Sequence, residues 1–172
     1  MKSGQKQTGV TMIELLIVLA IAAILTAMAA PSFSNFIANT RLSSTMSQLT
    51  ADLNRARSEA IKRNQRVLLC IRNSTGTDCA TTGTDWQDGW LVCYDTNSDN
   101  LCDTASSTDP NPIAVHQALP STLTLTGQNV IRFNPNGTQG SSGAATLTLD
   151  GTWPDAQAKT ANIAVTGNIS RP

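Results

Sequence analysis

The feature that most constrains this chain is a run of predominantly apolar residues, 10–30, that contains one charged side chain, Glu14. As an α-helix with a rise of about 1.5 Å per residue, this run would be about 30 Å long, which matches the hydrocarbon core of a bilayer. Lys2 and Lys6 precede the run, and positive charge on that side keeps the N-terminus of a membrane helix in the cytoplasm. The sequence therefore predicts a membrane-spanning helix that is followed by a translocated domain.

Glu14 separates this segment from an ordinary secretory signal. Such a signal has a small-residue cleavage site after its apolar run, and Ala27, Ala29 and Ala30 would be candidates for that site. A carboxylate in lipid is costly and is rarely found there without a partner. Since Glu14 lies near the start of the run, we expect it to pair with a positive group at the N-terminus of a neighbouring subunit.

The segment 9–16 reads GVTMIELL, with a basic leader before it and the apolar run after it. This combination resembles the processing motif of type IV pilins and type II secretion pseudopilins. The resemblance implies that prepilin peptidase cuts between Gly9 and Val10 and that Val10 becomes the N-methylated first residue, although the family usually has Phe there. It also implies that Glu14 pairs with the terminal amine of the adjacent subunit, and that Pro31 marks a kink or melted stretch of the helix.

After Pro31 the helical pattern resumes and becomes amphipathic. Apolar residues recur at steps of three and four at Leu42, Met46, Leu49, Leu53, Ala56 and Ala60. Charges of both signs lie on the other face, at Asp52, Arg55, Glu59, Lys62 and Arg63. Acids interleaved with bases are typical of a solvated helix face rather than a nucleic-acid patch. We therefore expect a helical half, 32–63, that packs against a globular domain.

From Arg66 onward the pattern changes to short β-type runs separated by turns that contain Gly, Asn and Asp. The predicted strands are 67–71, 89–94, 113–119, 122–126, 130–133, 145–149 and 162–165. Leu123/Leu125, Leu147/Leu149 and Ile163/Val165 alternate with polar residues, which predicts one buried and one wet face for these strands. Because no helical segments separate the strands, the sequence predicts an α+β fold with antiparallel sheets packed on the helix.

Two further segments, ARSEAI at 56–61 and WQDGWLV at 86–92, narrow the resemblance. They are similar to the branch of minor pilins and pseudopilins that contains the type II secretion H subunit and the FimT and FimU proteins. The resemblance implies a pilin fold with a cleaved leader (1–9), a membrane or filament-core helix (10–31) and a periplasmic domain (32–172). That domain comprises the amphipathic helix (32–63) and a β-rich region (66–172). We expect Trp86 and Trp90 to be core and turn anchors.

The chain has four cysteines, Cys70, Cys79, Cys93 and Cys102. An even number after an export-type N-terminus suggests disulfides formed in an oxidising compartment. The gaps from Cys70 to Cys79 and from Cys93 to Cys102 are equal, nine positions each, and two local bridges across them are the simplest of the three connectivities. Zinc is the alternative, but there is no CxxC pair and the chain has a single histidine, His116.

The segment 95–100 resembles the opening of a calcium loop, with oxygen-bearing side chains at Asp95, Asn97 and Asp99. The glycine and glutamate of such a loop are replaced by Asn100 and Ser106, so a turn built from Asp and Asn is favoured over an ion site. None of the catalytic motifs GxSxG, GxxxxGK[ST] or HExxH is present. We expect neither a cofactor nor enzyme activity.

The C-terminus raises the possibility of DNA binding. Some FimT proteins bind transforming DNA through a terminal Gly-Arg-x-Arg motif, and here Gly167 matches while Asn168 and Ser170 replace the arginines. Arg171 remains as a single cation, which weakens this alternative. Without the leader, ten basic residues face twelve acidic ones, so general coating of nucleic acid is not expected.

The combined expectation is a minor pilin or pseudopilin that initiates or caps a filament. Its expected partners are other minor and major pilins, prepilin peptidase, inner-membrane lipid and the assembly platform, with DNA as the alternative partner. The precursor would be a single-pass protein of the inner membrane with a periplasmic C-terminal domain. Type IV pili and type II secretion pseudopili share this leader and helix, so both systems stay open at this point.

Overall fold

A computed structural model describes residues 10–81, 86–105, 111–140 and 143–171. The chain divides into two compact units, with the boundary between Ile37 and Ala38. The first unit contains the N-terminal part of the long helix, and the second contains the remainder of the helix and all the β-strands.

One helix, α1 (Met12–Arg63), accounts for the whole helical prediction. It begins after Thr11, whose hydroxyl accepts a hydrogen bond from the Glu14 amide at 3.3 Å and so acts as an N-cap. It ends at Arg63, because the next residue, Asn64, adopts the left-handed conformation with a φ of 52°. The helix assignment is unbroken at Pro31, and the boundary between the two compact units lies six residues later.

The first sheet has the order β3-β2-β1-β5 and is antiparallel throughout. Its strands are β1 (Val67–Ile71), β2 (Trp90–Tyr94), β3 (Ala114–Val115) and β5 (Val130–Phe133). The predicted strand 113–119 was too long, because only Ala114 and Val115 form strand pairs with β2. The next two residues place their carbonyls against Gly89. Gly89 has a φ of 90°, and a Cβ at this position would collide with the carbonyls of His116 and Gln117. The strand β2 therefore begins at Trp90 rather than at Gly89.

The second sheet has the order β4-β6-β7-β8 and is also antiparallel. Its strands are β4 (Leu123–Gly127), β6 (Ala145–Gly151), β7 (Lys159–Ile163) and β8 (Ile169–Ser170). The predicted strand 162–165 is displaced, because a tight turn closes with hydrogen bonds from Gly167 N to Ala164 O and from Ala164 N to Asn168 O. Val165 therefore lies in the turn and is half exposed instead of facing the core.

The main core forms where the second half of α1 packs with the sheets. The six apolar residues predicted for the buried helix stripe, from Leu42 to Ala60, are all buried to within 1% exposure. They share one cluster with Trp86, Trp90, Phe133 and the inward leucines of β4 and β6. Trp86 lies in a short 3₁₀ helix, Trp86–Asp88, and both Trp86 and Trp90 are fully buried, as expected for core anchors. A smaller cluster on the other face of β1 and β2 contains the cysteines.

Candidate functional site

The start of α1 contains the residues predicted to act in assembly. Gly9 lies outside the described residues, and Val10 is the first residue that the structure describes. Glu14 occupies the third helical position, where its backbone N–H binds the Thr11 hydroxyl and its carboxylate lies near the positive end of the helix dipole. Glu14 is exposed, so its carboxylate is available to a group from another molecule.

The apolar residues around Glu14 are not covered by the part of the chain that the structure describes. Every large apolar side chain from Val10 to Leu25 is at least half exposed. The helix contains a window that is long and apolar enough to cross a membrane, and none of that window is buried. A continuous exposed apolar surface of this kind requires lipid or other protein surfaces around it.

The charged side of the second helical half is not fully solvated, in contrast to the sequence-based expectation. The Trp90 indole donates to Asp52 Oδ2 at 2.8 Å, and the Tyr94 hydroxyl donates to Glu59 Oε2 at 3.3 Å. Lys62 and Arg63 form ion pairs with Glu59 at 3.3 and 3.6 Å. Burial tends to raise the pKa of Glu59, but the neighbouring donors and cations outweigh burial and lower this pKa. Burial and the Glu59 charge raise the pKa of Tyr94.

His116 joins the same face of the helix to the first sheet. Its ring stacks on that of Trp90, with 3.8 Å between ring centroids and an interplanar angle of 11°. Its nitrogens contact the Gln117 carbonyl and the Gln48 side chain, each at 2.8 Å. All these contacts are internal to the domain, and together they give His116 a structural role.

The four cysteines form two disulfides, Cys70–Cys79 and Cys93–Cys102. These are the two local bridges that the equal spacings favoured. The spacing of the cysteines along the chain gave no sign that the two bridges adjoin, yet all four sulfur atoms lie within 4.8 Å of one another. The carboxylate of Asp78 holds the loop cysteines together, since its Oδ1 accepts the amides of Cys79 and Cys102, both at 2.7 Å.

The segment 95–100 forms a turn whose acidic oxygens are occupied by donors from the chain itself. Asp95 is fully buried, with Arg66 Nε at 3.2 Å from its Oδ2 and the Asp99 amide at 3.1 Å from its Oδ1. Asn97 Oδ1 also accepts the Asp99 amide, at 3.2 Å, and Asp99 Oδ1 accepts that of Leu101, at 2.8 Å. The Arg66 guanidinium therefore supplies a positive charge beside Asp95, one of the three candidate calcium ligands.

A second arginine contacts the same turn. Arg132 Nε donates to Asn100 Oδ1 at 2.6 Å, and Arg66 Nη2 donates to the same oxygen at 2.7 Å. Burial and the adjacent Arg66 charge lower the pKa of Arg132. Asn100, which stands where a calcium loop would have glycine, thus accepts hydrogen bonds from Arg66, just before β1, and from Arg132 of β5.

Arg171 lies at the edge of a cleft of about 230 Å³ between α1 and the second sheet. The cleft is lined by Ser43, Met46, Ser47, Lys159, Thr160 and Arg171. Arg171 donates from Nη1 to Ser47 Oγ at 3.1 Å. The fold therefore brings a second cation, Lys159, and three hydroxyl groups close to Arg171. The spacing of these residues along the sequence gave no sign that they would meet.

Gly167, the glycine that matches the DNA-binding motif, has a structural role in the turn between β7 and β8. Its φ is 79°, and a Cβ there would collide with the Gly137 carbonyl. Arg57 binds both turns, donating from Nε to Gly137 O at 3.0 Å and from Nη2 to Thr166 O at 3.4 Å. A glycine at 167 is therefore required by backbone packing, whatever the chain binds.

Comparison with known proteins agrees with this architecture. The family model described as type II transport protein GspH matches residues 45–168, and the prokaryotic N-terminal methylation motif matches residues 4–30. No match was found among curated protein sequences.

Two solved structures share the fold, both crystal forms of the type IV minor pilin FimU from Pseudomonas aeruginosa strain PAO1. In space group P21 the TM-score is 0.57 at 21% identity, covering 80% of this chain and 92% of FimU. In space group P65 the TM-score is 0.54 at 21% identity, covering 76% and 91%. The α+β pilin fold is therefore confirmed. With a family model that spans most of its length, the chain belongs to the GspH family of pilin-like structural subunits.

Proposed function

We propose that this chain is a minor pilin or pseudopilin that initiates or caps a type IV pilus or a type II secretion pseudopilus. Its precursor is a single-pass inner-membrane protein with a periplasmic C-terminal domain. Prepilin peptidase cuts between Gly9 and Val10, and Val10 is then N-methylated. The partners of the mature chain are other pilins or pseudopilins and the assembly platform.

The observation that carries this proposal is the exposed apolar half of α1 with one carboxylate, Glu14, near its start. In the membrane, lipid covers this surface. In a filament, the apolar faces of neighbouring helices replace lipid, and Glu14 pairs with the terminal amine of an adjacent subunit. A charge pair in an apolar surrounding is sensitive to position, so this pair fixes the axial register of the subunits.

Glu14 also has a possible local role, because Thr11-x-x-Glu14 has the pattern of a helix capping box. Two substitutions separate this role from pairing. A capping box accepts Gln at the same position, so Glu14→Gln preserves the cap but removes the charge. Glu14→Asp preserves the charge on a shorter side chain.

We expect Glu14→Gln to insert into the membrane at the wild-type level and to enter filaments at about a tenth of that level or less. Removing one partner of a charge pair in an apolar environment leaves the other charge unpaired, which costs about 3 to 5 kcal/mol. Glu14→Asp should retain part of the assembly. Membrane fractionation measures insertion, and immunodetection of the subunit in sheared filaments, or secretion of a cargo protein, measures assembly. Normal assembly of Glu14→Gln would refute the role of the charge.

A second candidate function, DNA binding by a filament-displayed subunit, is favoured by the cleft beside Arg171. Lys159 and Arg171 supply two cations, and three hydroxyl groups supply donors for phosphate oxygens. Two phosphate contacts predict a slope of about −2 for the logarithm of affinity against the logarithm of salt concentration.

Gel-shift titration of the full chain in detergent micelles against duplex DNA, over a salt series, tests this function. We expect Lys159→Ala and Arg171→Ala each to weaken binding and to reduce the salt slope by about one. Arg55→Ala, which removes an exposed arginine of the helix outside the cleft, is the control. Absence of salt-sensitive binding, or equal loss with Arg55→Ala, would leave assembly as the function.

A further inference from the structure

The sulfur cluster of Cys70, Cys79, Cys93 and Cys102 has a geometry that neither disulfide requires by itself. In the register of β1 and β2, Cys70 lies opposite Leu91 and Cys93 lies opposite Leu68. Both cysteines therefore project from the same face of the sheet, two residues apart along the ladder. This face is opposite the one that packs on α1, where Leu69 and Val92 belong to the main core.

The two loop cysteines, Cys79 and Cys102, are held at this face by the side chain of Asp78. Asp78 Oδ1 accepts the amides of both Cys79 and Cys102, so one carboxylate joins the two loops. The sulfurs of Cys79 and Cys102, which belong to different disulfides, are 4.0 Å apart. Two strands and one carboxylate thus hold the backbones of all four cysteines, and these supports do not depend on the disulfide bonds.

The spacing of the four sulfurs is close to that of a tetrathiolate metal site. With Zn–S bonds of about 2.3 Å and tetrahedral angles, the sulfurs of such a site are about 3.8 Å apart. Here two of the six sulfur pairs are disulfide bonds, the sulfurs of the other pairs lie within 4.8 Å of one another, and Cys79 and Cys102 Sγ are 4.0 Å apart. Once the bonds are reduced, side-chain rotations can move the sulfurs toward tetrahedral positions. Three cysteines are buried and Cys102 is partly buried, and Leu68, Leu91, Leu101 and Val130 pack around them, which shields the buried ligands from water.

We propose that the four cysteines form a metal site when both disulfides are reduced, and that this site binds one soft divalent cation such as Zn²⁺ through four thiolates. A phosphine reductant opens each disulfide. The phosphorus takes the oxygen of one water molecule, and the two protons of that water pass to the two sulfurs. Binding of the cation then releases four protons, one from each thiol.

The reverse reaction links metal release to oxidation. Two equivalents of a disulfide oxidant each accept two electrons from the ligand thiolates and two protons from water and become dithiols, while the four ligand sulfurs form the two intramolecular bridges and the cation leaves. The same strands and loops are thus cross-linked in two alternative ways. Under reducing conditions a metal ion joins them, and under oxidising conditions two disulfides do so. This inference concerns the sulfur cluster and is independent of the proposed filament function.

The test uses the full chain in detergent micelles, reduced with a phosphine and freed of it under anaerobic conditions, then titrated with Co²⁺. We expect the visible absorption bands of tetrahedral cobalt together with sulfur-to-metal charge transfer, saturating at one ion per chain. Zn²⁺ should abolish these bands by displacement, because it binds more tightly than Co²⁺. The oxidised chain, which lacks thiolates, should show no bands.

Two matched variants, Cys70→Ser/Cys79→Ser and Cys93→Ser/Cys102→Ser, each remove one pair of ligands. Both should lose the tetrahedral bands, and neither should protect its remaining thiols from alkylation when Zn²⁺ is added. Asp78→Ala keeps all four ligands but releases the loop amides, and we expect the same bands with a weaker cobalt affinity. Unchanged affinity would remove Asp78 as a positioning residue.

Three results would overturn the site itself: no tetrahedral bands in the reduced wild type, equal bands in either double variant, or equal cobalt affinity of the reduced chain in concentrated urea. The urea titration separates a site organised by the fold from binding by a flexible chain with four thiols. If reduction alone loosens the domain, return of the near-ultraviolet circular dichroism of Trp90 and Tyr94 on addition of Zn²⁺ supports the site, and no return counts against it.

Discussion

Individual charged residues in this domain act through short networks that cross from the helix to the first sheet. Glu59 is the clearest case, because its side chain is only 19% exposed. It forms ion pairs with Lys62 and Arg63 and accepts a hydrogen bond from the Tyr94 hydroxyl. Arg63 also lies over the Tyr94 ring, with its guanidinium carbon 5.3 Å from the ring centroid. These contacts attach the last turns of α1 to β2.

The lowered pKa of Glu59 predicts a pH dependence of stability. Because the pKa is lower in the folded state than in the unfolded state, where it is about 4.5, the contribution of Glu59 is fully present above about pH 4.5. It is lost as the pH falls through the folded-state pKa. Glu59→Gln should therefore be less stable than wild type by about 0.5 to 1 kcal/mol at pH 7 and by less at pH 3.

Chemical denaturation of both proteins in the same detergent, monitored by tryptophan fluorescence, measures this difference at each pH. Asp150→Asn, which changes an exposed carboxylate of β6, is a suitable control and should show no comparable change between the two pH values. An equal difference between wild type and Glu59→Gln at pH 7 and pH 3 would contradict the prediction.

At the scale of secondary-structure elements, Arg57 is the side chain that joins α1 to two separate turns. One turn contains Gly137 and the other Thr166 and Gly167, and the guanidinium donates to a carbonyl of each. Both glycines have positive φ, and both would bring a Cβ against neighbouring atoms. Arg57 therefore attaches α1 to the loop after β5 and to the hairpin between β7 and β8. The loop and the hairpin also contact each other directly, through the backbones of Gly137 and Gly167.

Arg57→Ala should lower the free energy of unfolding by about 1 to 2 kcal/mol, because two backbone carbonyls lose a charged donor. Arg57→Lys should recover only part of the loss, since an ammonium group does not have the fork that reaches both carbonyls. Arg55→Ala, two residues away on the exposed face, should change stability by less than about 0.5 kcal/mol. Equal effects of Arg57→Ala and Arg55→Ala in urea denaturation would remove Arg57 from this role.

At the scale of the whole molecule, the part of the chain from Ala38 to Pro172 contains all the strands and all the buried apolar side chains among the described residues. In the part before it, the large apolar side chains of α1 that the structure describes are exposed. The second half of α1 completes the core of the domain. In the function proposed above, the exposed first half is the part that lipid or partner subunits cover.

We predict that a chain beginning at Ala38 folds without detergent and keeps its thermal midpoint within about 4 °C of the full chain, which corresponds to about 1 kcal/mol at this size. Circular dichroism and size-exclusion chromatography measure the midpoint and the monomeric state. The same chain with Leu53→Ala, which empties part of the core, should lose about 2 to 5 kcal/mol and serves as the positive control. Aggregation of the shortened wild-type chain would show that residues before Ala38 are needed for folding.

The sequence by itself determined the features that depend on local pattern. The helical period placed every member of the buried stripe from Leu42 to Ala60. The apolar run and the leader predict a membrane segment, since a helix that crosses a bilayer must be long and apolar. Two strands, β1 and β5, have the predicted bounds. The pairing of Cys70 with Cys79 and of Cys93 with Cys102 in the structure is the one that equal spacing favoured.

Only the tertiary structure decided which distant residues meet. Local pattern has no information about the turn that ends β7 at Ile163, because Gly167 is selected by its contact with Gly137, thirty residues earlier. The same holds for Arg66 beside Asp95, for Lys159 beside Arg171, and for the four sulfurs that two strands and Asp78 bring together. These contacts depend on sheet register and on how the sheets pack on α1, and long-range packing of this kind cannot be derived from the spacing of residues along the chain.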